Sequence, residues 1–175
     1  SYFLASVAMP DGYGIYVREI QAIEAVPKIL ETVSAMTGLG FVCVAHVTED
    51  AWVTCAVLDK LGFGLKPGDP LDVKTTLCRE VRAAKAPIVI DCVQDSVTFR
   101  DHHTPKMYGF ESYFSVPVYR PNGEYFGTLC GLDPKRARLS DPATVSTMTL
   151  FAELISGQLE SARTLAAVES ALLGE

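Results

Sequence analysis

A chain of 175 residues with 49% hydrophobic residues can build one domain with a proper core and needs no disulfide or metal staples. Its net charge of -6 excludes a nucleic-acid surface, which requires clustered Lys and Arg. The short basic run Lys135-Arg136-Ala137-Arg138 follows a strand end and reads as a solvated loop.

The elements follow in chain order. Ser1 to Val17, with Pro10, Gly12 and Gly14, reads as an irregular leader. From Arg18 to Met36, apolar residues at Ile20, Ile23, Val26, Leu30 and Val33 mark one helical face, and Pro27 predicts a kink or two short helices. Gly38 and Gly40 end this segment. Phe41–Thr48 reads as a strand buried on both faces, and Trp52–Leu58 returns as its hairpin partner. Residues 59–72 form a long Gly- and Pro-containing loop without secondary structure of its own, a type that is often functional.

Val73–Ala84 is expected as one amphipathic helix, with Leu77, Val81 and Ala84 on one side, and Pro87–Asp91 as a short strand. A second loop, Cys92–Pro105, passes a turn of helix near Lys106 and enters the strand Ser112–Tyr119. Arg120-Pro121-Asn122-Gly123 is a turn, and Glu124–Leu132 completes a second hairpin. Asp141 as N-cap and Pro142 at the first position begin a helix that runs to Leu173. Val145, Met148, Ala152, Ile155, Leu159, Ala162 and Ala166 form a heptad-like seam along it, and its excess length predicts pairing with another chain. This order predicts an α+β architecture built on an antiparallel sheet of five or six strands.

The five cysteines, Cys43, Cys55, Cys78, Cys92 and Cys130, include no Cys-x-x-Cys pair and lie mostly in apolar runs, as in a reducing cytoplasm. No apolar run approaches the roughly 18 residues of a membrane span. Ser1-Tyr2-Phe3-Leu4 lacks the basic start of a signal peptide, and a start without Met is expected of a piece of a longer protein or of a processed tag.

Three segments carry a family resemblance: Thr76-Leu77-Cys78-Arg79-Glu80 ahead of Pro87-Ile88-Val89-Ile90-Asp91; Tyr108-Gly109-Phe110-Glu111-Ser112-Tyr113-Phe114-Ser115-Val116-Pro117-Val118; and Gly127-Thr128-Leu129-Cys130-Gly131-Leu132-Asp133. The last two resemble the Ser-x-x-x-Val-Pro-Ile and Gly-x-Leu-x-x-x-Asp signatures of the GAF domain family, and are most similar to sensor domains of bacterial histidine kinases and diguanylate cyclases. The resemblance implies a PAS-related sheet with terminal helices on one face, and loops and short helices over a pocket on the other. It divides the chain into the leader 1–17, a sensor domain 18–162 and an extension of the signalling helix 163–175. It also implies a cytoplasmic, non-enzymatic homodimer paired through its terminal helices, controlling an attached output domain such as a histidine kinase or diguanylate cyclase.

Strand alternation assigns Tyr113, Ser115 and Pro117 to one side and Phe114, Val116 and Val118 to the other. Thr128 and Cys130 share a side on the partner strand. The set with polar handles is the better pocket lining. The candidate pocket residues are therefore Phe63, Cys78, Phe99, His102, His103, Tyr108, Phe110, Tyr113, Ser115, Thr128 and Cys130.

Sharper versions of the family's chemistry fit less well. The Asn-Lys…Phe…Asp-Glu motif of cyclic-nucleotide binders is missing; the only Asn is Asn122, in a turn. Bilin-carrying members attach the pigment through a Cys, whereas Arg100 and Asp101 stand at the matching place, so no covalent bilin is expected. Members that reduce free methionine sulfoxide use two cysteines. Cys78 matches one, and no Cys lies between Cys92 and Cys130 for the other. His102-His103 has no second cluster at metal-ligand spacing, so no metal is expected. Two alternatives to the sensor stay open: a thiol-dependent reductase using Cys78, and a ligand-free dimerisation spacer.

Overall fold

Pro27 breaks the first helical stretch in two. A computed structural model describes residues 12–174 of the protein, apart from the side chains of residues 162, 163 and 166. Its first helix is α1, Gly14–Gln21. The second is α2, Val26–Thr37, with Pro27 in the first turn, where its missing N–H is harmless. Gly38 closes α2 at φ 78°, a left-handed conformation that suits glycine. Gly14–Val17 are therefore helical rather than irregular. Tyr16 and Val17 pack on the same core as Ile20 and extend the apolar stripe one turn upstream. Residues 1–11 of the expected leader lie outside the described residues.

Six strands follow as one antiparallel sheet. They are β1 Phe41–Val47, β2 Trp52–Asp59, β3 Pro70–Leu71, β4 Ile88–Ile90, β5 Ser112–Tyr119 and β6 Tyr125–Asp133. Their spatial order is β3-β2-β1-β6-β5-β4, which places β1 in the middle, buried along its whole length. β3 corrects the reading of 59–72 as a bare loop: Pro70 and Leu71 pair with Val53 and Trp52. A proline is tolerated there because β3 is an edge strand.

The expected single helix over Val73–Ala84 is also divided. A 3₁₀ turn spans Val73–Thr75, and α3 is Cys78–Ala84. The threonines cause the break. Thr75 Oγ1 donates to the Asp72 carbonyl at 2.7 Å and Thr76 Oγ1 to the Val73 carbonyl at 2.9 Å, so local bonds replace the helical ladder. A short helix α4, His103–Tyr108, stops at Gly109 with φ 73°.

The last helix, α5, runs Pro142–Leu173. Asp141 stands at the N-cap but makes no side-chain bond to the helix backbone; it accepts instead from Thr144 Oγ1 at 3.5 Å.

The two faces of the sheet bury separate cores. On one, Phe114, Val116, Val118 and Leu129 meet Ile20 and Ile29 of α1 and α2 and Met148, Ala152, Ile155 and Leu159 of α5. Four of the seven residues of the expected seam of α5 are thus spent inside its own domain, because α1 and the sheet cover them. Ala162 and Ala166 of that seam lie outside the described side chains. The apolar residues that α5 leaves exposed are others: Leu150, Leu154, Leu165, Val168, Leu172 and Leu173. On the opposite face, Phe41, Cys43, Tyr113 and Cys130 form the floor of the second core.

His46 sits where α1 crosses β1. Its ring stacks on Tyr16 at 4.0 Å and tilts against Phe126 at 4.7 Å. Burial lowers its pKa to about 4, a backbone hydrogen bond with Phe126 opposes the shift, and the Arg120 charge adds to it. The folded protein therefore holds His46 neutral, while the unfolded chain takes up the proton near pH 6.5. Between those values the unfolded state binds more protons, so stability is complete above about pH 6.5 and is lost as pH falls towards about 4. The full effect is about 3 kcal/mol at 1.36 kcal/mol per pKa unit. His46→Phe is expected to flatten the dependence of melting temperature on pH in this window. An equally steep acid loss in the variant would assign it to other groups.

Candidate functional site

The second core contains a small, partly open cavity of about 40 Å³. Its floor is the sheet: Phe41, Trp52, Tyr113, Cys130 and Leu132. Its roof comes from the long connections. The 60–69 segment supplies Phe63 and Leu65, and β3 supplies Leu71. Thr76, Leu77 and Cys78 come from the start of α3, Thr104 and Tyr108 from α4, and Phe110 from the segment that follows. The two connections singled out in the sequence thus meet over one face of the sheet.

Asp59 holds the first roof segment in place. Its carboxylate accepts from the N–H groups of Leu61 at 3.0 Å, Phe63 at 3.1 Å and Gly64 at 2.8 Å. That seats the Phe63 ring 4.9 Å from Phe41 and 5.9 Å from Tyr108. The Tyr108 hydroxyl in turn shares a hydrogen bond with Thr75 Oγ1.

Below the roof lies a buried group of sulfur and hydroxyl atoms. Cys78 Sγ accepts from Thr128 Oγ1 at 3.3 Å, and lies 3.3 Å from the Tyr113 hydroxyl and 3.7 Å from Ser115 Oγ. Cys43 and Cys130 pair across β1 and β6 with their sulfurs 3.3 Å apart. A hydrogen bond with Cys130 and burial push the Cys78 thiol well up. Cys130 is raised through its hydrogen bond with Cys43, and burial raises Tyr113. These groups therefore stay protonated at neutral pH. A thiol nucleophile needs thiolate, which this environment disfavours.

Of the eleven candidate residues, Phe63, Cys78, Tyr108, Phe110, Tyr113 and Cys130 line the cavity. Ser115 and Thr128 stand behind it, in contact with Cys78. Phe99, His102 and His103 do not reach its wall. The histidines fasten α4 instead. His102 Nδ1 accepts from the Thr104 N–H at 3.1 Å, which caps α4. Its Nε2 therefore carries the proton and donates to Glu80 Oε1 on α3 at 2.7 Å. His103 Nε2 lies 3.4 Å from the Lys74 carbonyl. No group of His, Cys, Asp or Glu among the described residues is arranged to hold a metal ion.

Sequence reasoning missed Phe41, Trp52, Leu65, Leu71, Thr76, Leu77, Thr104 and Leu132 in the wall. Alternation along β1 carried a signal for Phe41, since it shares a face with Cys43 and Ala45.

A central antiparallel sheet with terminal helices on one face and a roofed cavity on the other defines a PAS-related class of domain. The chain belongs to the GAF domain family, whose model matches residues 21–159. The fold is shared with solved structures of low sequence identity. One is the free methionine-R-sulfoxide reductase of Neisseria meningitidis in complex with its substrate, at 16% identity and TM-score 0.61, covering 85% of this chain and 87% of that one. Another is the GAF domain of an Acinetobacter phosphoenolpyruvate-protein phosphotransferase, at 13% identity and TM-score 0.61, covering 88% and 98%. A third is the GAF domain of a two-component sensor histidine kinase from Bacillus halodurans, at 10% identity and TM-score 0.62, covering 81% and 95%. No curated protein sequence matches the chain.

Proposed function

We propose that this GAF domain is a sensory module of a bacterial signal-transduction protein, in which a small molecule in the cavity controls an attached output domain. The observation that carries this reading is the partly open cavity between sheet and roof, with its thiols and phenols held neutral. The sheet couples the two faces: β5 presents Tyr113 to the cavity and Phe114 and Val116 to the core shared with the terminal helices. A ligand that binds the roof-closed state more tightly than the open one shifts the sheet against α1 and α5. Free thiols throughout suit a cytoplasmic location, and among the described residues no helix is long and apolar enough to cross a membrane. Native mass spectrometry and an absorption spectrum of freshly purified protein test the reading. A retained small molecule supports it; a bare chain that no metabolite fraction stabilises against heat favours a spacer.

The proposal includes a homodimer through the terminal helices. At 1.5 Å per residue the 32 residues of α5 span about 48 Å. Beyond Leu159 the helix carries Leu165, Val168 and Leu172 exposed, at three- and four-residue steps. Light scattering is expected to give a dimer mass for the protein and a monomer mass for Leu165→Asp/Val168→Asp. A native protein that stays monomeric at high concentration would remove this part of the reading.

Cys78 at the cavity wall, together with the fold shared with the reductase, favours one second reading, a free methionine sulfoxide reductase. Turnover of free methionine sulfoxide that vanishes in Cys78→Ser would establish it; no turnover in the native protein would end it.

A further inference from the structure

We propose that the cavity selects an uncharged ligand of one aromatic ring bearing a hydrogen-bond acceptor, and that this ring takes the seat now held by Phe63. The inference rests on the sensory reading above and adds the chemical class of the ligand.

No lining residue is Asp, Glu, Lys, Arg or His. The ionisable groups that do face the cavity, Cys78, Cys130, Tyr108 and Tyr113, are all shifted towards their neutral forms. A carboxylate, phosphate or ammonium would lose water there without gaining a counter-charge, which disfavours its binding. The wall is therefore built against ions.

Size and shape point to a ring. A cavity of about 40 Å³ is well short of the roughly 150 Å³ of an apolar protein cavity that takes up benzene. The missing space is supplied by Phe63. It stands between Gly62 at φ 69° and Gly64 at φ 103°, positions where glycine lets the backbone turn freely. Phe63 is partly exposed, and its ring rests between Phe41 and Tyr108. Turning it outward leaves a ring-sized slot with aromatic walls.

The acceptor follows from Trp52. Its side chain lies on the wall, yet its indole Nε1–H is buried and has no hydrogen-bond partner. Two residues on, and on the same face of β2, the Thr54 hydroxyl is also buried and unpartnered. An unmade hydrogen bond of this kind is destabilising, and a ligand carbonyl beside the Trp52 indole relieves it.

Trp52 is the only tryptophan, so the protein has a single indole N–H signal. The test follows that signal by ¹H–¹⁵N NMR during titration with acetophenone, with ethylbenzene (the same ring without an acceptor) and with benzoate. Acetophenone is expected to move the signal downfield and to saturate. Ethylbenzene is expected to perturb it without the downfield displacement, and benzoate to leave it unmoved. Phe63→Ala, which empties the seat, is expected to bind acetophenone about tenfold more tightly, because the closed state no longer competes. Saturable binding of benzoate overturns the neutral-ligand inference and leaves the sensory reading standing. A downfield shift by ethylbenzene equal to that by acetophenone overturns the acceptor. An unmoved signal with all three probes in both proteins overturns the ligand class; the sensory reading falls with it only where the purified protein is also bare and no metabolite fraction stabilises it against heat.

Discussion

Gly127→Ala is expected to cost ~3 kcal/mol or more, the upper end of overpacking effects, and to lower the melting temperature by roughly 10 °C. A Cβ at this position would stand 1.9 Å from the Ala45 carbonyl oxygen and 2.9 Å from its carbon. The obstacle is backbone in the central strand β1, held by β2 on its other side, so no side-chain rotation relieves it. Gly131, two turns of the pleat further on, is nearly as crowded: its Cβ would meet Phe114 at 2.7 Å and the Phe41 carbonyl at 2.9 Å. This explains the glycine in the Gly-x-Leu-x-x-x-Asp signature, whose final Asp133 accepts the Gly40 N–H at 2.9 Å and so fastens the start of β1. Gly157→Ala is the control. It lies on α5 with open space around it, and helix propensity predicts a gain of about 1 kcal/mol. Thermal denaturation of both variants checks the pair. A Gly127→Ala protein as stable as the native one would show that β1 and β6 are not in this register.

Arg120→Met is expected to cost ~3–5 kcal/mol, because it withdraws a guanidinium from a buried carboxylate. Glu19 of α1 is fully buried, and Arg120, after the end of β5, reaches it with Nη1 at 3.4 Å and Nη2 at 2.9 Å. The guanidinium also lies over the rings of Phe126 at 5.2 Å and Tyr16 at 5.9 Å. This cluster fixes α1 to the second hairpin, so its loss loosens the helix layer that the proposed signal would use. Replacing both partners by apolar residues removes the buried carboxylate as well, so Glu19→Leu/Arg120→Met is expected to recover a good part of the stability. Chemical denaturation of the two single variants and the double variant decides the matter. A double variant that loses the sum of the single losses would show that the pair contributes nothing by itself.

Local pattern made much of this fold legible. Pro27 marked the helix break and Gly38 the helix stop, because each acts on its own backbone. Alternation along Ser112–Tyr119 assigned Phe114, Val116 and Val118 to the helices and Tyr113 to the cavity, because successive strand residues must face opposite ways. The local reading failed where side chains competed with the ladder, as Thr75 and Thr76 do before α3. It failed for His102 and His103 because their partners, Glu80 and Lys74, are 22 and 29 residues away.

The sequence by itself determined the class of domain, the order of its elements and the side of the sheet on which a cavity would lie. These depend on periodicity, turn chemistry and short signatures, all of which act between near neighbours. The tertiary structure alone decided that Cys43 meets Cys130, that Trp52 and Phe41 join the wall, that the first half of α5 is spent on its own core, and that Phe63 rests between Phe41 and Tyr108. Such facts follow from strand register and from packing between segments far apart in the chain. A one-residue slip would exchange the two faces, and no local pattern records which partner arrives.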